Sequence, residues 1–250
     1  MLNNDSVTLE YKMKPGEVLR YKSTVSSQQT IAEEGLSPEV LESVLELVMD
    51  QKVLELRDGI AKVEVTITDG SIRRGNEELP LDTVGQKLIM DMKRNGDVIK
   101  TSVNFPFSQP AFPEKPLNPG DSWQTINPMN IPMGDGGSNK NIDLVYRHTL
   151  SRFDHQSGYD IAVIDIACPQ VAFDLQDEVK QTIVADGCTN FAYSTGRLIS
   201  SRVHTHTEIA VPETTITTDI KVTVDLLEAQ ESNSDRPSLV AAEEQFIIGI

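Results

Sequence analysis

The chain has 250 residues, 38% of them hydrophobic and 5% aromatic, with 22 basic against 38 acidic residues and a formal net charge of −16. The basic residues are scattered, which excludes nucleic acid as a partner, because phosphate binding needs a clustered cationic footprint; the same repulsion opposes anionic lipid headgroups. No window approaches the ~20 apolar residues of a membrane-spanning helix, and a core poor in aromatics must rest on Val, Ile, Leu and Met, which favours sheets.

Strand signals begin early. Val7 to Lys12 and Val18 to Ile31 flank Lys14-Pro15-Gly16-Glu17, a turn in which Pro presets one dihedral and Gly accepts a positive φ. Residues 38–49 predict the one helix: Ser37 caps it, Pro38 opens it, and Val40, Leu41, Val44, Leu45 and Val48 share a face. The competing reading is an extended strand from Ser43 to Leu56. Val53 to Arg57 and Ile60 to Ile67 are separated by Asp58-Gly59, a pair suited to a type I′ hairpin. Leu88 to Lys93 turns through Arg94-Asn95-Gly96-Asp97 into Val98 to Val103.

From Phe105 to Pro119 five prolines interrupt the pattern, so residues 105–119 read as a connector, with Phe105, Phe107 and Phe112 packed on a domain surface. After Pro119-Gly120-Asp121-Ser122-Trp123 comes a polar loop from Gly134 to Asn141. Strands then follow at Ile142 to Phe153, Tyr159 to Ala167, Val171 to Leu175, Val179 to Ala185, Thr189 to Tyr193, Arg197 to Ala210 and Thr214 to Leu227. The tail from Ala229 onward is polar, then apolar at Leu239 to Ala242 and Phe246 to Ile248; it reads as an edge element, a partner-docking segment or disorder.

Three landmarks recur in order roughly a hundred residues apart: Pro15-Gly16-Glu17 with Pro119-Gly120-Asp121, Asp58-Gly59 with Ser157-Gly158, and Asn95-Gly96 with Thr195-Gly196. The expected fold is therefore mainly β, with two related antiparallel units of about 100 residues forming curved sheets or an open barrel. The boundaries are 1–104 for the first unit, 105–119 for the connector, 120–228 for the second unit and 229–250 for the tail.

The Pro-Gly-acidic turn, the Asp-Gly strand entry, the Phe-Pro connector leading to Pro119-Gly120-Asp121-Ser122-Trp123, and the late hairpin Gly196-Arg197-Leu198-Ile199-Ser200-Ser201 carry a resemblance over roughly residues 7–228. The chain resembles a group of uncharacterised bacterial envelope proteins, often lipoproteins, similar in outline to the periplasmic lipoprotein-carrier, LolA-like fold. That resemblance implies a curved antiparallel sheet half enclosing an apolar ligand, and an envelope location. The matching positions are structural, so no binding residue is carried over. Met1 to Asp5 is neither a signal n-region nor a lipobox, so the expectation is a mature envelope protein stripped of its signal, or a cytoplasmic one.

The residues offer little chemistry. Gly134, Gly136 and Gly137 open no helix after a strand, as a phosphate loop would. Cys168 and Cys188 lack CxxC spacing and read as thiols or as one bridge. His204 and His206, two apart on a strand, point the same way and could share a metal if His148 or His155 supplied a third ligand; a solvated His/Thr face is the plainer reading. Asp160 with Asp165, and Asp174 with Asp177, read as solvated surface, and Trp123 as core or connector packing. No catalytic residue, metal ligand or cofactor is assigned. The functional expectation is a non-enzymatic binding protein holding a lipid or acyl chain in a cleft between sheets, with a structural or protein-interaction module as the alternative.

Overall fold

The computed structural model describes residues 6–102, 110–132, 139–176 and 179–230. They form one antiparallel sheet. Its strands are β1 (Val18–Glu33), β2 (Glu39–Arg57), β3 (Ile60–Arg74), β4 (Glu77–Pro80), β5 (Lys87–Lys93) and β6 (Val98–Thr101), then β7 (Ser122–Pro132), β8 (Asn139–Gln156), β9 (Tyr159–Gln176), β10 (Val179–Ala192), β11 (Arg197–Val211) and β12 (Thr214–Gln230). The order is β6-β5-β3-β2-β1-β12-β11-β10-β9-β8-β7, with the short β4 beside β3. Two meanders thus meet where β1 pairs with β12, in register from Val18–Gln230 to Glu33–Thr214 with one bulge beside Tyr21.

This corrects two expectations. The helix over 38–49 is absent: β2 runs through Glu39 to Met49 as a strand, paired with β1 from Glu39 to Lys52 and with β3 from Ser43 to Arg57. The apolar pattern at Val40, Leu41, Val44, Leu45 and Val48 fits either period, and a lone helix of that length is marginal in water. Two ladders satisfy the backbone of this segment instead. Nor are there two units. The sheet is single and continuous, so the expected cleft between sheets does not form.

The recurring landmarks are a likeness of turns. In both Pro-Gly turns the glycine has positive φ, and the amide of Glu17 or Asp121 donates to the carbonyl of Lys14 or Asn118 at 3.0 Å. Asp58-Gly59 and Ser157-Gly158 share left-handed backbone at both positions. Following the antiparallel strand directions, all six landmarks fall at the same end of the sheet.

The N-terminal segment crosses that end as a strap. It was expected as a strand, but it contributes only the bridge Val7–Leu117, while Leu9, Tyr11 and Met13 bury their side chains against the sheet. The Tyr11 amide donates to the carbonyl of Arg94, in the β5–β6 turn, at 2.7 Å. The next amide, Lys12, donates to Gly196, in the β10–β11 turn, at 3.3 Å. In a flat sheet β5 and β11 would lie roughly 24 Å apart, five strand spacings of about 4.8 Å. Consecutive residues hold both, so the sheet curls around the strap.

The core sits inside that curl. One cluster joins Met49, Val63 and Met92 of the first meander to Leu150, Ile164 and Phe191 of the second through Tyr11, Phe112 and Leu117. Phe112 shows that the described part of the connector does pack on the sheet, its ring 4.6 Å from Phe191 and 5.6 Å from Tyr11. Phe105, Phe107, Gly134, Gly136, Gly137 and Asp177, and the tail from residue 231, lie outside the described residues. Among those described there is no helix, and so none long and apolar enough to cross a membrane.

Candidate functional site

Beyond the strap the same face of the sheet continues. Tyr21 is opposite Met49, and Met49 opposite Ile67, both of the core cluster, so the odd-numbered residues of β1 face inward. From there the registers define lateral rows across β2, β1, β12, β11, β10 and β9. The first is Leu45, Val25, Val222, Val203, Gly187 and Ile166. The second is Ser43, Ser27, Ile220, Thr205, Ala185 and Cys168. The third is Leu41, Gln29, Thr218, Thr207, Ile183 and Val171. The fourth is Glu39, Ile31, Ile216, Ile209, Gln181 and Phe173.

Glu39, at one corner, is the single charged residue in these rows. The outer face is the opposite. Ser26, Lys221, His204 and Asp186 stand in one outer row, and Thr24, Thr223, Arg202 and Cys188 in another. On the same outer face Arg20 pairs with Asp50 at 2.7 Å and Lys22 with Glu46 at 2.9 Å. The rows span roughly 24 Å by 20 Å, given about 4.8 Å between strands and 6.8 Å for two residues along one. Soluble monomers rarely leave contiguous apolar patches of more than a few hundred Å² open.

The middle of this face is half-buried, as at Val25, Val203, Ile220 and Val222, whereas the second-meander flank is closed. There Leu144, Cys168, Ile183 and Ala185 are buried, with Ile142, Tyr146 and Phe173 packed around them. Where the face meets the strap, the hydroxyl of Ser23 is buried with no hydrogen-bond partner, between Leu47 and Val224 in register. A separate open cleft of about 390 Å³ lies near the strap, but its lining includes Glu10, Asp58, Lys93, Arg94 and Glu114. It is charged, unlike the face.

Of the residues singled out by sequence, His204 and His206 come together, but neither His148 nor His155 joins them. His204 and His206 lie on the outer face, and each ring bonds the same carboxylate oxygen of Asp219, at 2.9 and 3.0 Å. Those bonds hold Asp219 below the usual carboxylate range. His148 is an inward residue of β8, stacked on Trp123 at 5.3 Å and bonded to Thr125 Oγ1 at 2.8 Å. His155 pairs with Asp160 at 3.0 Å beside the β8–β9 turn. Among the described residues no group of three His, Cys, Asp or Glu side chains is arranged to hold a metal ion. Asp165 accepts from Ser151 at 2.7 Å and, being five residues from Asp160 on one strand, faces the other way.

Trp123 packs on the connector, its Nε1 donating to the carbonyl of Ala111 at 2.9 Å. Cys168 faces inward, opposite Ala185, and Cys188 outward, opposite Arg202, so the two thiols are free and on opposite faces. Burial pushes both thiols up from their ordinary pKa. The inward face as a ligand surface was not assigned from sequence. Its signal was there in Ile216, Thr218, Ile220, Val222 and Val224, uncharged at every second position, against Thr217, Asp219, Lys221, Thr223 and Asp225.

No family model and no curated protein matches the chain. Among solved structures, one of lipid–protein interactions in lipovitellin is similar at TM-score 0.52 and 11% identity, over 91% of this chain and 27% of that one. The chain therefore spans about a quarter of that protein, and the likeness shows a shared fold. DynF from the dynemicin biosynthesis pathway of Micromonospora chersina aligns at TM-score 0.25 and 8% identity, over 91% of this chain and 89% of the other. A LolA superfamily protein from Nitrosomonas europaea aligns at 0.16 and 12%, over 83% and 86%. At those scores neither carries an argument.

Proposed function

We propose that this protein is a non-enzymatic binding protein that holds an apolar ligand, a lipid or acyl chain, on the inward face of its curled sheet. The observation that carries the reading is the partition of charge. Four consecutive rows on one face hold a single charged residue, while the opposite face of the same strands carries Glu42, Glu46, Asp186, Arg202, Glu208, Asp219 and Lys221 among Thr, Ser and Val residues. Covering such a face gains roughly 0.8 kcal/mol for each methylene removed from water. The name of the lipovitellin structure, which concerns lipid–protein interactions, agrees with this reading, as does the resemblance to LolA-like carriers. An envelope location belongs to the same proposal, and cell fractionation tests it.

Native mass spectrometry of the purified protein, together with titration of a fluorescent fatty acid, tests the binding. The expected results are a retained lipid mass and a saturable fluorescence response. Absence of both sinks the reading.

A structural or protein-interaction role is the second reading. It is favoured by the open ends of the sheet: β6 is four residues long, and Val98 and Ile99 are 41% and 53% exposed. A strand added at that edge would be its means.

A further inference from the structure

The four inward rows are not uniformly apolar, and their banding narrows the ligand class. The first row, next to the strap, carries only aliphatic residues and glycine. The fourth has Ile31, Ile216 and Ile209 at its centre, flanked by Glu39 on one side and by Gln181 and Phe173 on the other. Between them Ser27 and Thr205 in the second row, and Gln29 and Thr218 in the third, form a band of uncharged hydrogen-bonding groups; Thr207 beside them already donates its hydroxyl to the carbonyl of Thr218 at 3.4 Å. A ligand matching this surface is apolar at both ends and carries neutral acceptors between.

Charged headgroups fit poorly. The inward cations stand in the flanking strands, outside these six. Arg74 of β3 is in register with Glu77, and Lys140 of β8 donates to the carbonyl of Asp174 and lies 5.8 Å over the ring of Phe173. An anionic head placed in the band would be desolvated among hydroxyls and amides with no counter-charge, at a cost of several kcal/mol. The net charge of −16 adds long-range repulsion.

Resting on the reading that this face binds an apolar ligand, we propose that its ligand is an uncharged acyl ester, a neutral lipid, with its ester groups over the band of Ser27, Gln29, Thr205 and Thr218. An ester oxygen accepts hydrogen bonds from hydroxyl and amide donors and needs no cation.

The test is native mass spectrometry after incubating the full chain separately with trioleoylglycerol, dioleoylphosphatidylcholine, dioleoylphosphatidylglycerol, oleic acid and the hydrocarbon squalane, all delivered from the same detergent. The expected result is retention of trioleoylglycerol above both phospholipids and oleic acid. Thr205→Val, which keeps a β-branched residue in the strand, should weaken triolein retention about fivefold, the equivalent of one neutral hydrogen bond of ~1 kcal/mol, and leave squalane retention unchanged. Preference for a phospholipid or oleic acid overturns the ester assignment while leaving apolar binding standing. Equal loss of triolein and squalane in Thr205→Val also overturns it, since the band would then be acting through packing. Retention of no lipid at all, with a dimer by light scattering, overturns both and gives the face to a second copy of the chain.

Discussion

Glu17 and Arg197, 180 residues apart in the chain, form a buried ion pair in which one carboxylate oxygen accepts from Nε at 3.1 Å and from Nη2 at 2.6 Å. Their side chains are 4% and 11% exposed. Glu17 also closes the Pro-Gly turn before β1, its carbonyl accepting the Val53 amide at 3.0 Å, and Arg197 opens β11. The pair locks the turn that starts the first meander to a hairpin of the second.

Removing one partner leaves the other charged and buried, which typically costs 3–5 kcal/mol. Arg197→Met is therefore expected to destabilise the protein by about that much, and the double variant Glu17→Gln/Arg197→Met by distinctly less than the sum of the two single changes. Urea midpoints of the four proteins decide it. Additive losses would mean that the two residues act independently.

Gly196 has φ of 67°, and a Cβ there would collide with the backbone of Lys12 and Glu10 in the strap. Gly158 has φ of 82° with open space around it. Gly158→Ala should cost only the left-handed penalty of about 1–2 kcal/mol, and Gly196→Ala clearly more, because the strap must shift as well. Near-equal urea midpoints for the two variants would show that the strap does not bear on the hairpin.

Burial lowers the pKa of His148 from 6.5, because the charged ring is desolvated. The sign follows directly. The unfolded chain binds the proton more readily, so the stability held by neutral His148 is complete above pH 6.5 and is lost as pH falls through its folded value. His148→Gln should flatten the fall in stability between pH 6.5 and that lower folded value, and a pH series of denaturation midpoints checks it. An unchanged acid slope would place the titrating group elsewhere.

Ile220 faces inward and its neighbour Lys221 outward. Ile220→Lys should abolish retention of a fluorescent neutral lipid at a stability cost of about 1 kcal/mol, the site being half-buried. Lys221→Ile should leave retention intact. Loss of binding in both, or in neither, would separate ligand binding from this face.

The turns were the most readable part of the sequence. Asp58-Gly59, Arg94 to Asp97 and Ser157-Gly158 all sit between paired strands, because each needs a backbone that few residues tolerate. The β2 segment misled because aliphatic residues occupy both its faces: Leu41 and Leu45 point inward while Val40, Val44 and Val48 point outward, which erases the period of two. Cys168-Pro169-Gln170 was read as a gap between strands. It is a bulge in β9, with Cys168 opposite Ala185 and Val171 opposite Ile183, where proline's missing donor is tolerated. The pairing of β1 with β12, which makes one sheet out of the expected two units, leaves no local mark in either strand. The candidate site was legible only strand by strand, as in the alternation of Ile216 to Val224, since its rows exist only once six strands are in register.

The β1–β12 seam also sets an order of events during synthesis. Val18 finds its partner Gln230 only after every strand between them has left the ribosome, so the first meander waits with β1 as an unpaired strand edge. Long-range antiparallel pairing of this kind closes slowly, and the nascent N-terminal half is the species that chaperones must shield until the last strand arrives.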